Sequence, residues 1–418
     1  MSGVTRPDRF DVVVAGAGPA GSIAALVLAR AGARVALADK AAFPRDKACG
    51  DLIGPRGVRL LEDLDVTVPD AGTGSDLLVV GPSGRRVKLP AYPGRTYADH
   101  GMVVPRRIFD AALRDAAVAA GAIGIRTRIS AADTAPDGTV RALTGADGTR
   151  LACDFVVGAD GALSKVAQLT GLLDPAAGLW GFAIRGYLPA HVPLPLLVLL
   201  DAGRWRIYPG YGWLFPGAGG QANIGIGVGL GRHRGSAALR PDLDRFTALL
   251  RRHGDLTAGA APGPVMGGWL RMGGTGTPPA ARNVLLAGDA AGLINPLQGE
   301  GIAPAMASAR AAAEAIVADP ARAGRRYTEA VHGLLDKYMT GAAALQEAML
   351  ARPRLVSAGL RLLTAPPVGR LVSGTWSLYW NGLADGAQPR PSARGAALVE
   401  SVAWRLAKRR PGDGHRAA

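Results

Sequence analysis

The residues from Gly16 to Gly21 have the types and the spacing of a phosphate-binding loop. They read Gly-Ala-Gly-Pro-Ala-Gly and follow directly after the apolar run Phe10–Ala15. Gly16 permits a tight turn out of a strand, Gly18 lets the backbone approach a pyrophosphate, and Gly21 lets the next helix pack on the strand. The amide groups and the dipole at the N-terminus of that helix attract phosphate. The pattern predicts a dinucleotide site; a glycine-rich turn without a ligand is the alternative.

The segments after this loop complete a strand–turn–helix–strand unit. Ser22–Ala31 is rich in Ala and Leu and predicts a helix, which Gly32 ends. Arg34–Ala38 predicts a second strand, and Asp39 follows it. That aspartate lies about 20 residues beyond the loop, where a carboxylate accepts a hydrogen bond from a ribose hydroxyl.

Four later segments carry groups that fit one dinucleotide, FAD. One of them, Gly158-Ala159-Asp160-Gly161, follows a predicted buried strand and is expected to be a sheet-end turn near the cofactor. Arg106 precedes a predicted helix, Ile108–Ala120, so its guanidinium can reach a phosphate or the ribityl chain; a surface arginine is the alternative. Asp289 ends a predicted buried strand, Val284–Gly288, and suits a hydrogen bond to a ribityl hydroxyl. The loop Asn295–Ile302 ends at a helix N-terminus, whose amide groups and dipole would stabilise an anionic reduced flavin.

The two cysteines, Cys49 and Cys153, form neither a disulfide framework nor a zinc site, which indicates a reducing cytosol. Arg45 and Lys47 lie near Cys49 in the sequence, and cations favour a thiolate, so Cys49 is a candidate reactive group. A packed loop thiol is the alternative. Cys153 lies in an apolar strand and is expected to be an inert core residue. No metal site is predicted.

The formal net charge of the chain is +15, but its basic residues are scattered. No run of Lys and Arg is interleaved with aromatic residues, so we exclude nucleic-acid binding as a function class. No signal peptide precedes the first strand, and Gly, Pro or charge interrupts each apolar run before it reaches membrane-spanning length. These features predict a cytoplasmic protein, soluble or peripheral at the inner face of a membrane.

The C-terminal region predicts helices with breaks at Pro353 and at Pro366-Pro367. Its last predicted helical segment, Ala397–Lys408, has apolar residues on one side and a basic end that continues into Arg409 and Arg410. Such a segment suits an anionic membrane surface. Packing against the sheet domain is the alternative.

Between Trp180 and Leu230 the pattern changes to strands alone. The predicted strands are Trp180–Tyr187, Leu196–Asp201, Arg204–Pro209, Tyr211–Pro216 and Gln221–Leu230. In the fourth of them Tyr211, Trp213 and Phe215 alternate, so all three point to one face. This aromatic set is either sheet core or an apolar wall for a lipid-like substrate.

The region between the second strand and residue 100 is mixed. Leu52–Leu64 predicts a helix. Leu77–Val80 and Arg85–Leu89 flank a Gly-Pro-Ser-Gly turn and predict a hairpin.

The glycine loop and the four later segments, which follow it in chain order, resemble the FAD-dependent oxidoreductases built like para-hydroxybenzoate hydroxylase. Two further segments narrow the match. Phe43–Asp51 resembles the P-x-x-x-x-Cys-Gly-Asp loop of the geranylgeranyl reductase family. Tyr211–Pro216 with Asn223–Gly227 resembles that family's Tyr-x-Trp-x-Phe-Pro…Asn-x-Gly motif. The resemblance runs from about Asp11 to about Ala318, and the C-terminal region matches loosely.

The resemblance implies an α/β fold with a Rossmann-like FAD-binding domain (GR2-type), an inserted, mostly antiparallel sheet that forms the substrate domain, and a helical C-terminal region. The FAD-binding domain is expected in three parts, residues 1–70, 101–175 and 281–324. A hairpin at 71–100 and the sheet at 176–280 form the substrate domain, and 325–418 is the helical region.

The resemblance also implies the site residues. Cys49 and Gly50 would lie beside the isoalloxazine, and Tyr211, Trp213 and Phe215 would line a substrate tunnel. The expected FAD-binding residues are Gly16, Gly18, Ala20, Gly21, Asp39, Cys49, Gly50, Arg106, Ile129, Asp289, Gly299, Gly301 and Ile302. The candidate catalytic groups are Cys49 and Glu300. The proton donor would be either the Cys49 thiol or a water molecule held near Glu300.

The reaction implied is hydride transfer from N5 of reduced flavin to a carbon–carbon double bond of a small hydrophobic, geranylgeranyl-type isoprenoid. No second Gly-x-Gly-x-x-Gly stands in a strand–helix context, so an external electron donor, NAD(P)H or reduced ferredoxin, would bind transiently. A flavin-dependent monooxygenase of natural-product biosynthesis is the main alternative, although the halogenase signature Trp-x-Trp-x-Ile is absent. A flavin-bearing lipid-binding protein without turnover is another.

Overall fold

The computed structural model describes residues 9–74, 76–95, 97–173, 178–203, 205, 209–232, 238–274, 278–383 and 389–408. The strands are β1 (Arg9–Ala15), β2 (Val35–Asp39), β3 (Leu52–Ile53), β4 (Gly72–Gly74), β5 (Leu77–Val80), β6 (Arg86–Leu89), β7 (Gly101–Val103), β8 (Ile123–Arg126), β9 (Ile129–Thr134), β10 (Val140–Gly145), β11 (Arg150–Gly158), β12 (Leu179–Pro189), β13 (Leu196–Leu199), β14 (Gly210–Pro216), β15 (Gln221–Gly231), β16 (Met266–Met272), β17 (Ala280–Ala281) and β18 (Val284–Leu286).

The α-helices surround these strands and dominate the C-terminal region. They are α1 (Pro19–Arg30), α2 (Pro55–Asp63), α3 (Arg106–Ala119), α4 (Lys165–Leu169), α5 (Arg240–Arg252), α6 (Ile302–Ala318), α7 (Ala323–Ala351), α8 (Pro353–Leu363), α9 (Val368–Trp380) and α10 (Arg390–Lys408). No helix in the described ranges combines the length and the apolar character needed to cross a membrane.

The first sheet has the order β17-β18-β11-β1-β2-β8, and β10 joins β11 to β9. The strands β18, β11, β1, β2 and β8 run parallel to one another, whereas β17 and β10 pair antiparallel with β18 and β11. A parallel sheet is covered on both faces, so its central strands are continuous apolar runs. Val12–Val14 of β1 are buried among Leu26 of α1, Phe109 of α3 and Met306 of α6. This confirms the Rossmann-like unit predicted from the glycine loop.

The second sheet has the order β16-β12-β15-β14-β13-β5-β6, and only the β13–β5 pair among these neighbours is parallel. The hairpin predicted around residues 81–84 therefore exists and extends this sheet. One face of the sheet packs on α5 through Leu214, Ile224 and Phe246. The opposite face carries the alternating aromatic residues of β14 and is available to a site.

Two local predictions are wrong. Leu52 and Ile53 form a strand with Val103 and Met102, not the first turn of a helix. The helix begins only at Pro55, whose missing amide hydrogen and fixed φ suit the first helical position. The predicted strand Leu196–Asp201 ends at Leu199, and Arg204–Pro209 lies largely outside the described residues.

The C-terminal helices follow the predicted breaks, since α7 ends before Pro353 and α9 begins after Pro367. Helix α9 packs against both α8 and α10, and α7 packs against α10 and β15. Trp376 and Trp380 lie one turn apart on α9, with their ring centres 6.4 Å apart. The helical region thus lies against the second sheet.

Candidate active site

The glycine loop has the geometry that its sequence predicts. Gly16 has a φ of +98°, and a Cβ atom there would lie 2.4 Å from the carbonyl oxygen of Ala159. A Cβ atom on Gly21 would lie 1.7 Å from the carbonyl oxygen of Gly16, so α1 can sit against β1 only without a side chain at this position. Asp39 accepts hydrogen bonds from the amides of Ala17 at 2.7 Å and Ala41 at 2.8 Å. The loop is thereby tied to the end of β2.

The donor chemistry of this corner fits the diphosphate of FAD. Helix α1 begins just after Gly18 and has no acidic residue in its first turn. The guanidinium of Arg45 lies 3.4 Å from the position of a Cβ atom on Gly18. A helix N-terminus and an arginine therefore face the same place, which is how anionic phosphate groups are held.

Arg106 is buried, so the alternative of a surface arginine is wrong. Its Nε and Nη2 atoms donate to the two carboxylate oxygens of Asp110 at 2.7 and 2.8 Å. Arg45 donates to the same carboxylate at 2.9 Å. Arg106 also lies beside Cys49, close enough to interact with the thiol. These buried contacts link α3 to the Cys49 loop.

The Cys49-Gly50-Asp51 loop is held to the second sheet by one amide side chain. Asn223 of β15 donates to the carbonyl oxygen of Cys49 at 2.8 Å and to Asp51 Oδ2 at 2.9 Å. The same residue accepts from Trp213 Nε1 at 2.8 Å. Tyr187 of β12 donates its hydroxyl to Asp51 at 2.5 Å. The Cys49 loop and the Trp213 side chain are therefore held in one hydrogen-bond network.

The pKa of Cys49 is shifted in the direction opposite to that expected for a reactive thiol. Burial raises the pKa of Cys49, and the nearby Arg106 only partly opposes this effect. The prediction that Arg45 and Lys47 favour the thiolate is wrong, because Arg45 pairs with Asp110 and Lys47 pairs with Asp289 at 3.4 Å. Burial also raises the pKa of Asp51, against the hydrogen bonds from Tyr187 and Asn223.

Cys153 behaves as an inert core residue. It is buried in β11, and burial raises its pKa to about 12. The thiol is therefore protonated at neutral pH, as expected for a structural cysteine.

Tyr211, Trp213 and Phe215 form one aromatic wall on β14, as their alternation predicts. The ring centres of Tyr211 and Trp213 are 6.0 Å apart, and those of Trp213 and Phe215 are 6.3 Å apart. A Cβ atom on Gly50 would lie 3.0 Å from the Phe215 ring. A side chain at this position would require the Phe215 ring to shift, so the absence of one lets the Cys49 loop lie close to the wall.

The loop Asn295–Ile302 is held from both the sheet and the C-terminal helices. Tyr211 donates its hydroxyl to the carbonyl oxygen of Gln298. On the other side, Gln346 of α7 donates to the carbonyl oxygen of Pro296 at 2.9 Å. Asn295 donates to the hydroxyl of Tyr338 at 3.2 Å. The position of this loop therefore depends on all three parts of the molecule.

Glu300 lies in the same loop, just before α6. Its Oε1 atom accepts a hydrogen bond from the amide of Ala303 at 2.7 Å, which caps the helix. Burial raises the pKa of this carboxyl to about 7, and the nearby Asp289 adds to the effect. A carboxyl with this pKa can hold or release a proton near neutral pH.

A cavity of about 570 Å³ lies where these parts meet. The aromatic wall, the Cys49 loop, the loop before α6 and helices α7 to α9 line it. The expected site residues that line it are Cys49, Gly50, Arg106, Tyr211, Trp213, Phe215, Asp289, Gly299, Glu300, Gly301 and Ile302. The expected residues outside its lining are Gly16, Gly18, Ala20, Gly21, Asp39 and Ile129. Contact of either set with FAD stays a prediction.

Sequence reasoning missed four residues that build this site. Asp51, Tyr187 and Asn223 hold the Cys49 loop, and Gln346 holds the loop before α6. Asp51 and Asn223 stood inside quoted motifs, but nothing in the sequence indicates that they meet. No sequence pattern marks Tyr187 or Gln346 as a site residue, because their hydrogen-bond partners lie 136 and 50 residues away along the chain.

Comparison with known proteins agrees with this geometry. A family model described as an FAD binding domain matches residues 9–179. The menaquinone reductase of Mycobacterium tuberculosis (strain ATCC 25618 / H37Rv) is 38% identical over 315 residues, which are 73% of this chain and 76% of that protein. The geranylgeranyl diphosphate reductase of Rhodobacter capsulatus is 34% identical over 326 residues, which are 74% of this chain and 75% of that protein.

The chain belongs to the geranylgeranyl reductase family of FAD-dependent oxidoreductases. A solved structure, a geranylgeranyl bacteriochlorophyll reductase-like protein from Thermoplasma acidophilum, has the same fold. It aligns with a TM-score of 0.70 at 21% identity and covers 96% of this chain and 99% of that one. The predicted resemblance, fold class and FAD requirement are thereby confirmed.

Within this family the glycine loop, Arg45 and the N-termini of α1 and α6 are the groups suited to FAD. The glycine loop and the N-terminus of α1 offer amide hydrogens for phosphate, and Arg45 offers a cation. The N-terminus of α6 is suited to the flavin ring.

Proposed function

We propose that this protein reduces carbon–carbon double bonds in the polyisoprenoid chain of a hydrophobic lipid. The observation that carries the proposal is the cavity, in which an aromatic wall and the Cys49 and Glu300 loops meet. Apolar, concave sites with a few polar groups are typical of sites for hydrophobic small molecules. Bound FAD supplies the hydride.

The apolar part of the cavity suits a linear chain of isoprene units. Tyr211, Trp213 and Phe215 present ring faces along one side, and Leu197 and Leu360 line it as well. Hydrocarbon contacts of this kind gain free energy in proportion to the apolar area removed from water. The lining therefore selects for a lipid tail rather than for a charged metabolite.

One buried polar group suits a substrate head group. The Oε1 atom of Gln346 has no hydrogen-bond partner within the described chain, although Gln346 is buried and lines the cavity. A buried carbonyl acceptor without a partner costs free energy that a donor on a ligand would recover. A hydroxyl on the head group would satisfy it, as the quinol form of a quinone lipid provides, whereas the quinone form offers acceptors alone.

The names of the relatives point to the same chemical class. Menaquinone carries a polyisoprenoid tail on a naphthoquinone ring, and geranylgeranyl diphosphate is itself an isoprenoid. The menaquinone reductase is the more similar of the two relatives described above. We therefore favour a menaquinone-type lipid as the substrate, with its tail in the apolar part of the cavity.

The protein's own groups position the alkene and supply a proton. The networks around Asn223 and Tyr211 fix the walls of the site, so that a bound lipid chain can displace water from the reacting bond. Glu300, with a pKa of about 7, is the group best suited to hold the proton, directly or through a water. Electrons come from an external donor, reduced nicotinamide or ferredoxin.

The test is product analysis after anaerobic incubation of the reduced holoenzyme with menaquinone and, separately, with geranylgeranyl lipids. Reduction of the tail adds two hydrogen atoms that remain after the extracted lipid is exposed to air. Reduction of the quinone ring also adds two hydrogens, but air removes them again. A persistent mass gain supports the proposal.

Two results would contradict it. A mass gain that disappears in air would assign the activity to the ring. A gain of one oxygen atom, seen only when oxygen is admitted, would assign the protein to the monooxygenases. The matched control is the Phe215→Leu protein, whose smaller side chain keeps an apolar wall but removes one ring, and should lower kcat/KM without changing the product.

A further inference from the structure

Helix α10 exposes its large apolar side chains and buries its small ones. Ala396 and Ala403 face the protein and are each 1% exposed, whereas Leu398 is 66% exposed. Val402 and Leu406 follow it on the exposed side at helical spacing. A surface helix of a globular protein has the opposite arrangement, with its large apolar residues toward the core.

Helices α8 and α9 share this property. Leu355 and Leu362 lie seven residues apart on α8 and are 65% and 60% exposed, while Ser357 of the same helix is buried. Leu371 of α9 is 86% exposed. Because α9 packs against both α8 and α10, the three exposed sets lie on neighbouring helices.

The exposed apolar residues are accompanied by positive charge. The ranges of α8, α9 and α10 contain six arginines and one lysine against one acidic residue, Glu400. Arg354, Arg370, Arg394 and Arg405 are exposed. We call Leu355, Leu362, Leu371, Leu398, Val402 and Leu406, together with these four arginines, the cationic apolar face.

We propose that the cationic apolar face docks on the surface of an anionic lipid bilayer. Apolar side chains flanked by arginine are what a membrane interface takes up, because the leucines enter the acyl boundary while the guanidinium groups meet lipid phosphate. A second copy of this chain would bring like charges together, so self-association through this face is disfavoured.

The location of the face agrees with the proposed substrate, and to that extent the inference rests on the proposed function. Leu360 on α8 and Trp380 on α9 line the cavity. Leu334 of α7 lines it too, although it is 58% exposed, so the cavity meets solvent there. The helices α8 and α9 would therefore contact the bilayer on their outer side and line the cavity on their inner side.

The test is co-sedimentation of the FAD-loaded protein with vesicles of phosphatidylcholine alone and of phosphatidylcholine with phosphatidylglycerol. We expect binding to the anionic vesicles that weakens as salt is raised, because salt screens the arginines. Equal binding to both vesicle types, or none to either, would overturn the proposal.

Variants separate the two components of the face. The triple change Leu398→Gln, Val402→Gln and Leu406→Gln should weaken vesicle binding by about tenfold or more through lost apolar contact. Arg394→Gln should weaken it by about fivefold, the effect of one cation near an anionic surface. These positions are solvent-exposed, so the free energy of unfolding should change little.

The matched control is the triple change Val118→Gln, Leu163→Gln and Val317→Gln, at exposed apolar positions outside α8 to α10. It should bind vesicles like the unmodified protein. If both triple variants bind equally, the face has no role in docking. If gel filtration shows a dimer that only the α10 triple variant breaks, and vesicles are not bound, the occupant is a second copy and the proposal is wrong.

Activity measured on lipid dispersed in detergent does not depend on docking to a bilayer. It therefore tests the proposed function separately from the docking proposal. The α10 triple variant should keep full activity in detergent while it loses vesicle binding. Absence of turnover in every protein, with vesicle binding intact, would reject the substrate and leave the docking face supported.

Discussion

At the scale of single residues, Asn223 connects more of the site than any residue singled out from the sequence. Its amide group holds the backbone of the Cys49 loop, a buried carboxylate and the indole of the aromatic wall. A buried polar network of this kind fixes positions only while every member is satisfied. Asn223 is thus a positioning residue for the wall and for the loop together.

Replacing Asn223 by Leu should lower the free energy of unfolding by about 3 kcal/mol, because Trp213 Nε1 and the Asp51 carboxylate lose a buried partner. Urea unfolding measures this change, and flavin fluorescence titration should show weaker FAD binding. The control Tyr187→Phe removes only one bond to Asp51 and should cost about 1.5 kcal/mol. Equal effects of the two changes would argue against the connecting role of Asn223.

Glu300 makes stability depend on pH. The folded protein keeps this proton up to about pH 7, whereas the ordinary pKa of the group is 4.5, so stability is lost as pH rises between these values. Glu300→Gln should therefore stabilise the flavin-free protein by about 2 kcal/mol above pH 7 and hardly at all below pH 4.5. Thermal unfolding across this range checks it; a pH-independent difference would contradict it.

Some of this residue-scale detail follows from the sequence and some does not. The shared face of Tyr211, Trp213 and Phe215 follows from strand periodicity alone. The acidity of Cys49 does not, because neighbours in sequence need not be neighbours in space. Arg45 and Lys47 are taken up by carboxylates from α3 and from the loop after β18, and burial then dominates the thiol.

At the scale of elements, the β1–loop–α1 unit depends on Gly21. The helix crosses the loop so closely that no side chain fits between Gly21 and the carbonyl of Gly16. This dependence is also why the unit is readable from sequence: the glycines are required by backbone geometry, and the flanking apolar runs give the strand and helix periods.

Gly21→Ala should destabilise the protein by about 3 kcal/mol or more and abolish FAD binding, since α1 must move away from β1. The matched control is Gly333→Ala in α7, where a Cβ atom meets nothing within 4 Å. That change should stabilise the helix by about 0.5–1 kcal/mol. Chemical unfolding and flavin retention on gel filtration measure both; retention of FAD by the Gly21 variant would contradict the packing argument.

The elements that sequence reasoning missed are those defined by distant partners. Leu52-Ile53 looked helical because Pro55 onward is helical, yet pairing with β7 makes it a strand. The strand Met266–Met272 carries two glycines and a charge, so it lacks a strand signal; it exists because β12 offers it an edge. Such tertiary pairing overrides local propensity.

At the scale of the whole molecule, the two large sheets and the C-terminal helices meet at one cavity. The FAD-binding sheet supplies the Cys49 loop and α6, the second sheet supplies the aromatic wall, and the C-terminal helices supply the outer wall. The order of the motifs along the chain predicted the first two regions. The contribution of α7 was not predictable, because Gln346 and Tyr338 reach the loop before α6 from a segment without motifs.

The central claim, reduction of a lipid alkene by FAD held in this site, is tested most directly by following flavin absorbance in the anaerobic holoenzyme. The purified protein is photoreduced and then mixed with menaquinone or geranylgeranyl lipid, with air as a parallel addition. We predict that lipid alone restores the oxidised flavin spectrum and that the extracted lipid carries two extra hydrogens on its tail. Restoration by air only, with the lipid unchanged, would contradict the claim.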